Sequence, residues 1–236
     1  MRGPPAAGPV GHLRCGVRRR GGPPVSEPPA SAGSPRTARG RATRRRLLDA
    51  ARTVFARDGF ADAHILDITR GAGVSAGTFY TYFATKDELF REVAFEVIDE
   101  LSAAVRVGRD RQLDPAADVE AALRAYVDAC LRHARVTSSI QQLAHVDPVI
   151  RERRAAGMRA TATRGADHIR RLQAAGLADP RVDADAVADA LQTMSVSVVY
   201  EHLVLFESGA DPEHLVRTLT DVWLRAIGLV GWPPAP

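Results

Sequence analysis

Cysteine, lysine and long apolar runs are scarce in this chain of 236 residues, and their scarcity excludes several classes of protein. The two cysteines, Cys15 and Cys130, lie in segments of very different composition, so neither a disulfide framework nor a cysteine-rich zinc site is expected. No stretch approaches the roughly 20 uninterrupted apolar residues of a membrane helix. The best candidate, residues 196–206, is short and carries Glu201 and His202. We therefore expect a cytoplasmic protein with no membrane partner.

Aromatic residues are missing before Phe55, and acidic residues are nearly missing from the same region. Residues 1–46 contain eleven arginines and one acid, Glu27, which gives a local charge of +10, whereas the rest of the chain carries −6. Eight glycines and eight prolines accompany them, and such a segment cannot bury enough apolar surface to offset its ordering entropy. Residues 1–38 are therefore predicted to be a disordered basic tail. A functional arm, a merely solvated tail and a start site assigned too far upstream are the alternatives.

Three short helices are predicted after this tail. Apolar residues recur at helical spacing over residues 47–55, and Gly59 stands where a C-terminal glycine belongs. A second short apolar face over residues 65–72 leads into a glycine-rich corner, where Ser75 is placed to cap the third segment, residues 76–83. Three short helices with a tight glycine turn before the last are typical of a helix-turn-helix, whose last helix enters the major groove of DNA.

The rest of the chain is predicted to be helical as well. Thr85 and Glu88 have the spacing of a capping box at the start of a long amphipathic helix. Asp-Pro pairs, a strong signal for a helix start, recur at residues 114, 147, 179 and 211. Their near-equal spacing invites a helical-repeat interpretation, but the intervening segments share no aromatic or glycine pattern. Helices are expected near residues 86–108, 115–136, 138–146, 148–176, 183–207 and 212–229, with no strand, which makes an all-α fold of about nine helices.

Residues 41–90 combine these features in one ungapped run. The run contains Leu47-Leu48-Asp49-Ala50-Ala51, Phe55, Gly59-Phe60, Asp67-Ile68, Ala72-Gly73-Val74-Ser75, Gly77-Thr78, Tyr80, Tyr82-Phe83 and Lys86-Asp87-Glu88-Leu89-Phe90. It resembles the N-terminal domain of TetR-family transcriptional regulators. The resemblance implies a helix-turn-helix DNA-binding domain at 39–90 and a helical ligand-binding and dimerisation domain at 91–236. It also implies a homodimer, most often a repressor, that releases DNA when a small molecule binds.

The resemblance further implies which residues contact DNA. Ala76 stands where a basic residue is common, Thr81 where His or Asn is frequent, and Leu66 where a basic residue is often found. The recognition surface is therefore less charged than usual, which leaves Lys86, the only lysine in the chain, with more of the phosphate contact. The predicted contacts to a palindromic double-stranded operator come from the third helix and from arginines before the first helix: Arg41, Arg44, Ala76, Gly77, Thr78, Tyr80, Thr81, Tyr82 and Lys86.

A ligand pocket and a dimer interface are also implied. The seven histidines lack the spacing of zinc ligands, so no metal or cofactor is expected, and a small organic effector is the default. Ordinary core packing is the alternative for every pocket candidate, and packing within one subunit is the alternative for the interface candidates. The pocket candidates are Val97, Leu101, Tyr126, Cys130, His133, Met158, Ala162, Met194 and Val198. The interface candidates are Leu191, Leu205, Leu219, Trp223 and Ile227.

Two other functions compete with the ligand-responsive regulator. Residues 73–77 match G-x-S-x-G, the nucleophile elbow of hydrolases, which makes Ser75 a candidate nucleophile of a helical hydrolase. That elbow requires a buried strand before the serine, and the preceding segment has helical spacing instead. The other alternative is a dimeric helix-turn-helix protein without an effector, whose C-terminal helices serve only for dimerisation.

Overall fold

The computed structural model describes residues 37–106, 114–205 and 209–232, and all regular secondary structure in these ranges is helical. A π-helical segment, Tyr200–Leu205, follows the eighth α-helix. The predicted all-α class with an N-terminal helix-turn-helix is confirmed, whereas the predicted tail lies outside the described residues except for its last two. The α-helices are α1 Ala38–Asp62, α2 Ile65–Ala72, α3 Ala76–Tyr82, α4 Lys86–Ala104, α5 Pro115–Arg132, α6 Ala134–Leu143, α7 Pro148–Ala174, α8 Ala184–Val199 and α9 Pro212–Ala226.

Helix α1 begins well before the apolar pattern that predicted it. Thr37 caps its start, since the Thr37 hydroxyl accepts a hydrogen bond from the Gly40 amide at 3.1 Å. The arginines expected ahead of the helix therefore lie within its first turns, because arginine forms helices well but contributes nothing to an apolar periodicity. At Gly59 the backbone has φ 77° and ψ −177°, a conformation that strains a residue with a Cβ atom. The predicted glycine stop is thus where the regular helix breaks, and one further turn follows it.

The corner between α2 and α3 has the predicted capping chemistry. Gly73 ends α2 in the left-handed conformation at φ 65°. The Ser75 hydroxyl caps α3 by accepting a hydrogen bond from the Thr78 amide at 3.2 Å. His64 stands at the start of α2 and forms no capping hydrogen bond through its side chain. The tight turn therefore depends on Gly73 and Ser75, which fix the direction in which α3 leaves α2.

Buried phenylalanines hold α1, α3 and α4 together. Phe55, Phe79, Phe83 and Phe90 are completely buried, and the rings of Phe55 and Phe90 meet edge to face with centroids 5.1 Å apart. The same hydrophobic cluster continues into α6 and the start of α7 through Val136, Ile140 and Ile150. The N-terminal unit, α1–α3, is therefore packed directly on the helices behind it.

A row of ion pairs on the outer surface also ties α1 to α4. Three arginines on α1 face three glutamates that lie one turn apart along α4. Glu100, at the end of the row, also meets His133 Nε2 at 2.8 Å. The pairs are Arg44 with Glu92, Arg45 with Glu96, and Arg52 with both Glu96 and Glu100.

The C-terminal helices pack around a second hydrophobic cluster built from α5, α7, α8 and α9. Three Asp-Pro pairs start helices as predicted, at α5, α7 and α9. Asp147 and Asp211 also accept hydrogen bonds from the first free amides of α7 and α9, whereas Asp114 precedes α5 without such a bond. The pair at 179–180 starts no helix, since Asp183 caps α8 instead. The single helix predicted over 183–207 is wrong beyond Val199, where the backbone widens into the π-helical segment.

Candidate functional site

The outer face of α3 is exposed and carries few charges. Phe79 is completely buried, whereas Tyr80, the next residue, is 57% exposed. Ala76, Gly77 and Thr81 share this exposed face. The small residues at the start of α3 leave its backbone accessible, and a hydroxyl and a phenol follow one turn later. A helix with this pattern can enter a groove closely and offer hydrogen-bonding groups there.

A shallow groove runs from the start of α1 to the α2–α3 corner and encloses about 770 Å³ of space open to solvent. Arg39 and Arg46 both line it, and neither guanidinium forms an ion pair with a described carboxylate. Arg46 makes only a long hydrogen bond, 3.4 Å, to the Thr43 hydroxyl. Thr78 and Tyr82, two of the predicted contact residues, line the opposite wall. The groove therefore presents cations and hydroxyls beside the exposed face of α3.

Arg44, a predicted DNA contact, is directed elsewhere. Its guanidinium pairs with Glu92 on α4 and lies over the Phe83 ring, 4.9 Å from the ring centroid. Arg41, the other predicted arginine, is exposed in the first turns of α1. Sequence reasoning could not separate Arg44 from Arg46, because the glutamate that engages Arg44 is 48 positions away along the chain. The structure makes Arg46, rather than Arg44, the arginine that faces the groove.

Lys86, the predicted phosphate contact, has its ammonium at the end of α1. Its Nζ donates hydrogen bonds to the carbonyls of Phe60 at 2.7 Å, Ala63 at 3.0 Å and Ala61 at 3.2 Å. The ammonium also lies 4.5 Å from the centroid of the Phe60 ring. Three carbonyls engage all three donors of an ammonium group. Lys86 therefore satisfies carbonyls that the break at Gly59 leaves without helical partners, which is a structural role that its place in the sequence did not reveal.

Ser75 has the environment of a helix cap. Its hydroxyl contacts the Thr78 amide and the Thr78 hydroxyl, the latter at 2.9 Å. Among the residues that the structure describes, no histidine or carboxylate is hydrogen-bonded to it. A nucleophilic serine requires a base within hydrogen-bond reach, and the hydroxyl here is engaged in the α3 cap.

Behind the N-terminal unit, α4 to α9 enclose a cavity with two lobes. The first lobe, about 620 Å³, lies against α5, α8 and α9, and the second, about 580 Å³, lies against α4, α6 and α7. Both volumes include space open to solvent. Because the two lobes share five lining residues, they are neighbouring parts of one site. The shared residues are Val105, Tyr126, Thr161, Gln192 and Val196.

Three of the nine predicted pocket residues line this cavity: Leu101, Tyr126 and Met158. Val97 and Cys130 are buried in the two hydrophobic clusters, and His133 pairs with Glu100. Ala162, Met194 and Val198 also lie outside the lining, on neighbouring faces of their helices. Helical spacing identified inward-facing positions, but it could not distinguish a packed position from one beside a void. The polar wall residues Thr161 and Gln192 were missed for the same reason.

Tyr126, which is partly buried at the cavity wall, and Cys130, which is fully buried, lie one helical turn apart on α5. Burial holds the pKa of the Tyr126 phenol well above its usual range. Burial also raises the pKa of the Cys130 thiol to about 11, although a hydrogen bond from Tyr126 opposes this shift. Both groups are therefore neutral at physiological pH, and Cys130 is a structural thiol without nucleophilic character.

The predicted dimer contacts are mostly internal. Leu191, Leu219 and Ile227 are buried within the subunit, at 6%, 3% and 1% exposure, so they belong to its own core. Trp223 lines the first lobe of the cavity and donates a hydrogen bond from Nε1 to the Ser195 hydroxyl at 2.9 Å. Of the five candidates, Leu205 in the π-helical segment is the one that is substantially exposed, at 46%. The apolar stripes of α8 and α9 are therefore the inner faces of these helices, the alternative that the sequence left open.

The described part of the chain contains neither a membrane-spanning helix nor a metal centre. No helix there has the length and apolarity to cross a membrane. No group of three or more His, Cys, Asp or Glu side chains in the same ranges is arranged to hold a metal ion.

Two family models match successive parts of the chain. Residues 47–93 match the model of bacterial regulatory proteins of the tetR family, which spans the helix-turn-helix and the start of α4. Residues 119–228 match the model of the C-terminal domain of the transcriptional regulator EthR, which spans most of the cavity walls. The two matches thus cover the exposed α3 face and the cavity separately.

Known proteins agree with both models over nearly their whole length. The HTH-type transcriptional regulator EthR of Mycolicibacterium smegmatis is 25% identical over 210 residues, 84% of this chain and 95% of that protein. A transcriptional regulator from a Rhodococcus species has a TM-score of 0.65 at 24% identity, covering 79% of this chain and 98% of that one. A TetR-family structure from Mesorhizobium loti has a TM-score of 0.66 at 18% identity, covering 82% and 100%. This chain therefore belongs to the TetR family of transcriptional regulators.

Proposed function

We propose that the protein is a dimeric, sequence-specific repressor that a small organic effector releases from a palindromic operator. The observation that carries the proposal is the pairing of two surfaces in one subunit. An exposed recognition helix beside a cationic groove lies at one end of α4, and a partly enclosed, mostly apolar cavity lies at the other. DNA binding uses the first surface and effector binding uses the second.

On this proposal, α3 enters the major groove with Ala76, Gly77, Tyr80 and Thr81 towards the base edges. Thr78 and Tyr82 lie at the margin, where the phosphate backbone passes, and Arg39 and Arg46 supply positive charge from α1. Contacts to phosphate position a protein on the duplex, and contacts to base edges select the sequence. The α1 arginines therefore contribute affinity, and the exposed face of α3 contributes specificity.

Dimerisation is proposed through the outer faces of α8 and α9, in place of the stripes that the subunit buries. Ala190, Thr193 and Ser197 on α8, with Thr218 and Val222 on α9, are exposed. All five residues are small and uncharged, and such side chains allow helices of two subunits to pack closely. Two helix-turn-helix domains joined by such an interface can bind two DNA half-sites about one helical turn apart. Sedimentation of the full chain without DNA would test the oligomeric state directly.

Replacing Thr81 with alanine tests the specificity assignment. The Thr81 hydroxyl is exposed and bonds only the Gly77 carbonyl of its own helix, at 3.3 Å, so its loss leaves the fold intact. We expect the preference for one base pair in each half-site to relax, with a loss of about 1 kcal/mol or more of discrimination there. Selection of bound fragments from a randomised pool, with the wild type in parallel, gives the measurement. An unchanged selected sequence would contradict base contact by Thr81.

Replacing Arg46 with alanine tests the interaction with the DNA backbone, and Arg45→Ala is its matched control. Both substitutions remove one charge from the same turn of α1, but Arg45 is engaged by Asp49 and Glu96 on the far side. We expect Arg46→Ala to weaken binding to all sequences alike and to lower the salt slope by about 0.9 for each phosphate that a subunit no longer neutralises. Fluorescence anisotropy at several salt concentrations measures this slope. An equal reduction in both variants would mean that net charge, not the groove, is responsible.

A further inference from the structure

An arginine in the second lobe of the cavity has no polar partner among the described residues. Arg154 on α7 is half-buried and lines the lobe close to Gly157 and Met158. It forms no hydrogen bond or ion pair with any described side chain or carbonyl. Its neighbour Arg153 shows the usual alternative, since that guanidinium pairs with Asp99 at 2.5 Å and stacks over the Phe95 ring. Unlike six arginines on α1, α4 and α5 that form ion pairs with carboxylates, Arg154 leaves its guanidinium unpaired in a cavity wall. The six are Arg44, Arg45, Arg52, Arg57, Arg91 and Arg124.

A second polar group in the same lobe also lacks a partner. Thr137 on α6 is 7% exposed, and its Oγ1 makes no hydrogen bond within the described part of the chain. A buried hydroxyl without a partner is costly and rare in folded proteins. Gln141 lies one helical turn further along α6 and lines the same lobe. The lobe thus gathers a cation and hydrogen-bonding side chains that the described residues do not satisfy.

Apolar residues surround this polar end. The apolar lining of the second lobe includes Ile98, Leu101, Ile140 and Met158, and that of the adjoining first lobe includes Val119, Ala122, Leu123 and Trp223. Among the described residues of the two linings, Asp118 carries the only carboxyl side chain, and it belongs to the first lobe. An anionic group therefore favours the second lobe, and an apolar chain or ring attached to it extends along the walls towards the first.

We propose that the effector is an amphipathic organic acid whose carboxylate is bound by Arg154 and Thr137 and whose apolar body fills the two lobes. This inference rests on the proposed effector-binding role of the cavity and names the class of molecule that fills it. A guanidinium binds a carboxylate through two parallel charge-assisted hydrogen bonds, which are stronger than neutral ones. The partly enclosed, largely apolar surroundings strengthen the pair further because they lower the local dielectric constant.

Three probes with the same ten-carbon chain test the head-group preference: decanoate, decan-1-ol and decylamine. Binding to the full-length protein is followed by its tryptophan emission, to which Trp223 in the first lobe and Trp232 both contribute, and independently by the shift in melting temperature. For the wild type we expect decanoate to bind at least about tenfold more tightly than decan-1-ol, a ratio that one charge-assisted hydrogen bond supports. Decylamine is expected to bind most weakly.

Arg154→Met is the test variant and Arg151→Met its matched control. Arg151 lies on the same helix, is exposed and does not line the cavity, so its replacement removes an equal charge without touching the site. We expect Arg154→Met to abolish the preference for decanoate over decan-1-ol while decan-1-ol binding persists, and Arg151→Met to keep the preference. Thr137→Val, which keeps the shape of the side chain, is expected to reduce the preference partially.

The outcomes separate this inference from the proposed function. Equal binding of decanoate and decan-1-ol by the wild type, or a preference that survives in Arg154→Met, overturns the assignment of an acid. Failure of the wild type to bind any of the three probes overturns it as well. Operator binding without ligand is measured on the same samples. If the wild type preferred decanoate but did not bind an operator, that result would contradict the proposed function and leave the head-group preference standing.

Discussion

Replacing Lys86 with methionine is expected to lower the free energy of unfolding by about 2 kcal/mol, the range of hydrogen bonds to a charged group. The ammonium donates hydrogen bonds to the carbonyls of Phe60, Ala61 and Ala63 at the end of α1. A positive charge there also interacts favourably with the negative end of the helix dipole. Methionine keeps the apolar stem against the Phe60 ring but supplies no donor. Denaturant unfolding of the full chain, followed by circular dichroism, measures the loss.

The same variant separates this role from the phosphate contact predicted from the sequence. If Lys86 holds the end of α1, stability falls and operator affinity falls with it, because α3 depends on the packing of α1 against α4. If Lys86 instead binds phosphate, the midpoint of unfolding is unchanged and the salt slope of DNA binding falls. Asp87→Ala, at the next and exposed position of α4, is the control for changes at this helix start. An unchanged unfolding midpoint in Lys86→Met would refute the structural role.

The fold was predictable because its helix boundaries are encoded locally. Gly59, Gly73 and Ser75 act through the conformation and hydrogen bonding of a single turn, and the structure places each as its residue type predicts. The capping box at Thr85 was half right. The Glu88 amide bonds the Thr85 hydroxyl, but the Glu88 carboxylate accepts from the Ala84 amide at 2.7 Å rather than from that of Thr85. A rule based on residue spacing cannot predict which of two neighbouring amides donates the hydrogen bond.

The candidate site was less predictable because it depends on contacts between distant segments. Arg44 and Arg46 are equivalent by sequence, and only the approach of Glu92 on α4 distinguishes them. The cavity is even harder to predict from the sequence. It is the space that several helices leave unfilled between them, and the residue pattern of one helix does not show where that space lies. The hydrolase alternative at Ser75 was wrong, because the matched motif lies in the helix-turn-helix of a family of regulators that are not enzymes.

Coupling between the cavity and the recognition helix requires an element that reaches both, and α4 and α6 each do so; α4 is the longer of the two. Its first half contributes Leu89, Phe90 and Val93, all fully buried, to the cluster of the N-terminal unit. Its second half contributes Leu101 and Ser102 to the cavity wall. Helix α4 contains no glycine or proline that would absorb a displacement between the two halves. On the proposed function, a ligand that displaced the cavity end of α4 would shift α3, and it would lower operator affinity only if it bound the displaced state better.

Gly157 on α7 offers a way to displace α4 without a ligand. A Cβ atom at this position would lie 3.2 Å from both Ile98 Cγ2 and Ser102 Oγ of α4, so a larger side chain pushes the two helices apart. We expect Gly157→Leu to lower operator affinity in the absence of any effector by about tenfold or more, since two half-sites must be engaged in register. Gly157→Ala is expected to act in the same direction with a smaller effect. Fluorescence anisotropy with a palindromic operator measures both.

Gly165→Ala is the matched control for Gly157→Ala, because it adds the same methyl group to the same helix at similar tightness but against a different neighbour. Its Cβ would lie 3.3 Å from the Cβ of Ala188 on α8, away from α4. Both substitutions raise helix propensity by about 1 kcal/mol, so stability changes through this effect cancel in the comparison. We expect Gly165→Ala to retain operator affinity within about twofold, whereas Gly157→Ala lowers it by more than that. Equal losses in the two variants would show that general strain in α7, and not displacement of α4, controls DNA binding.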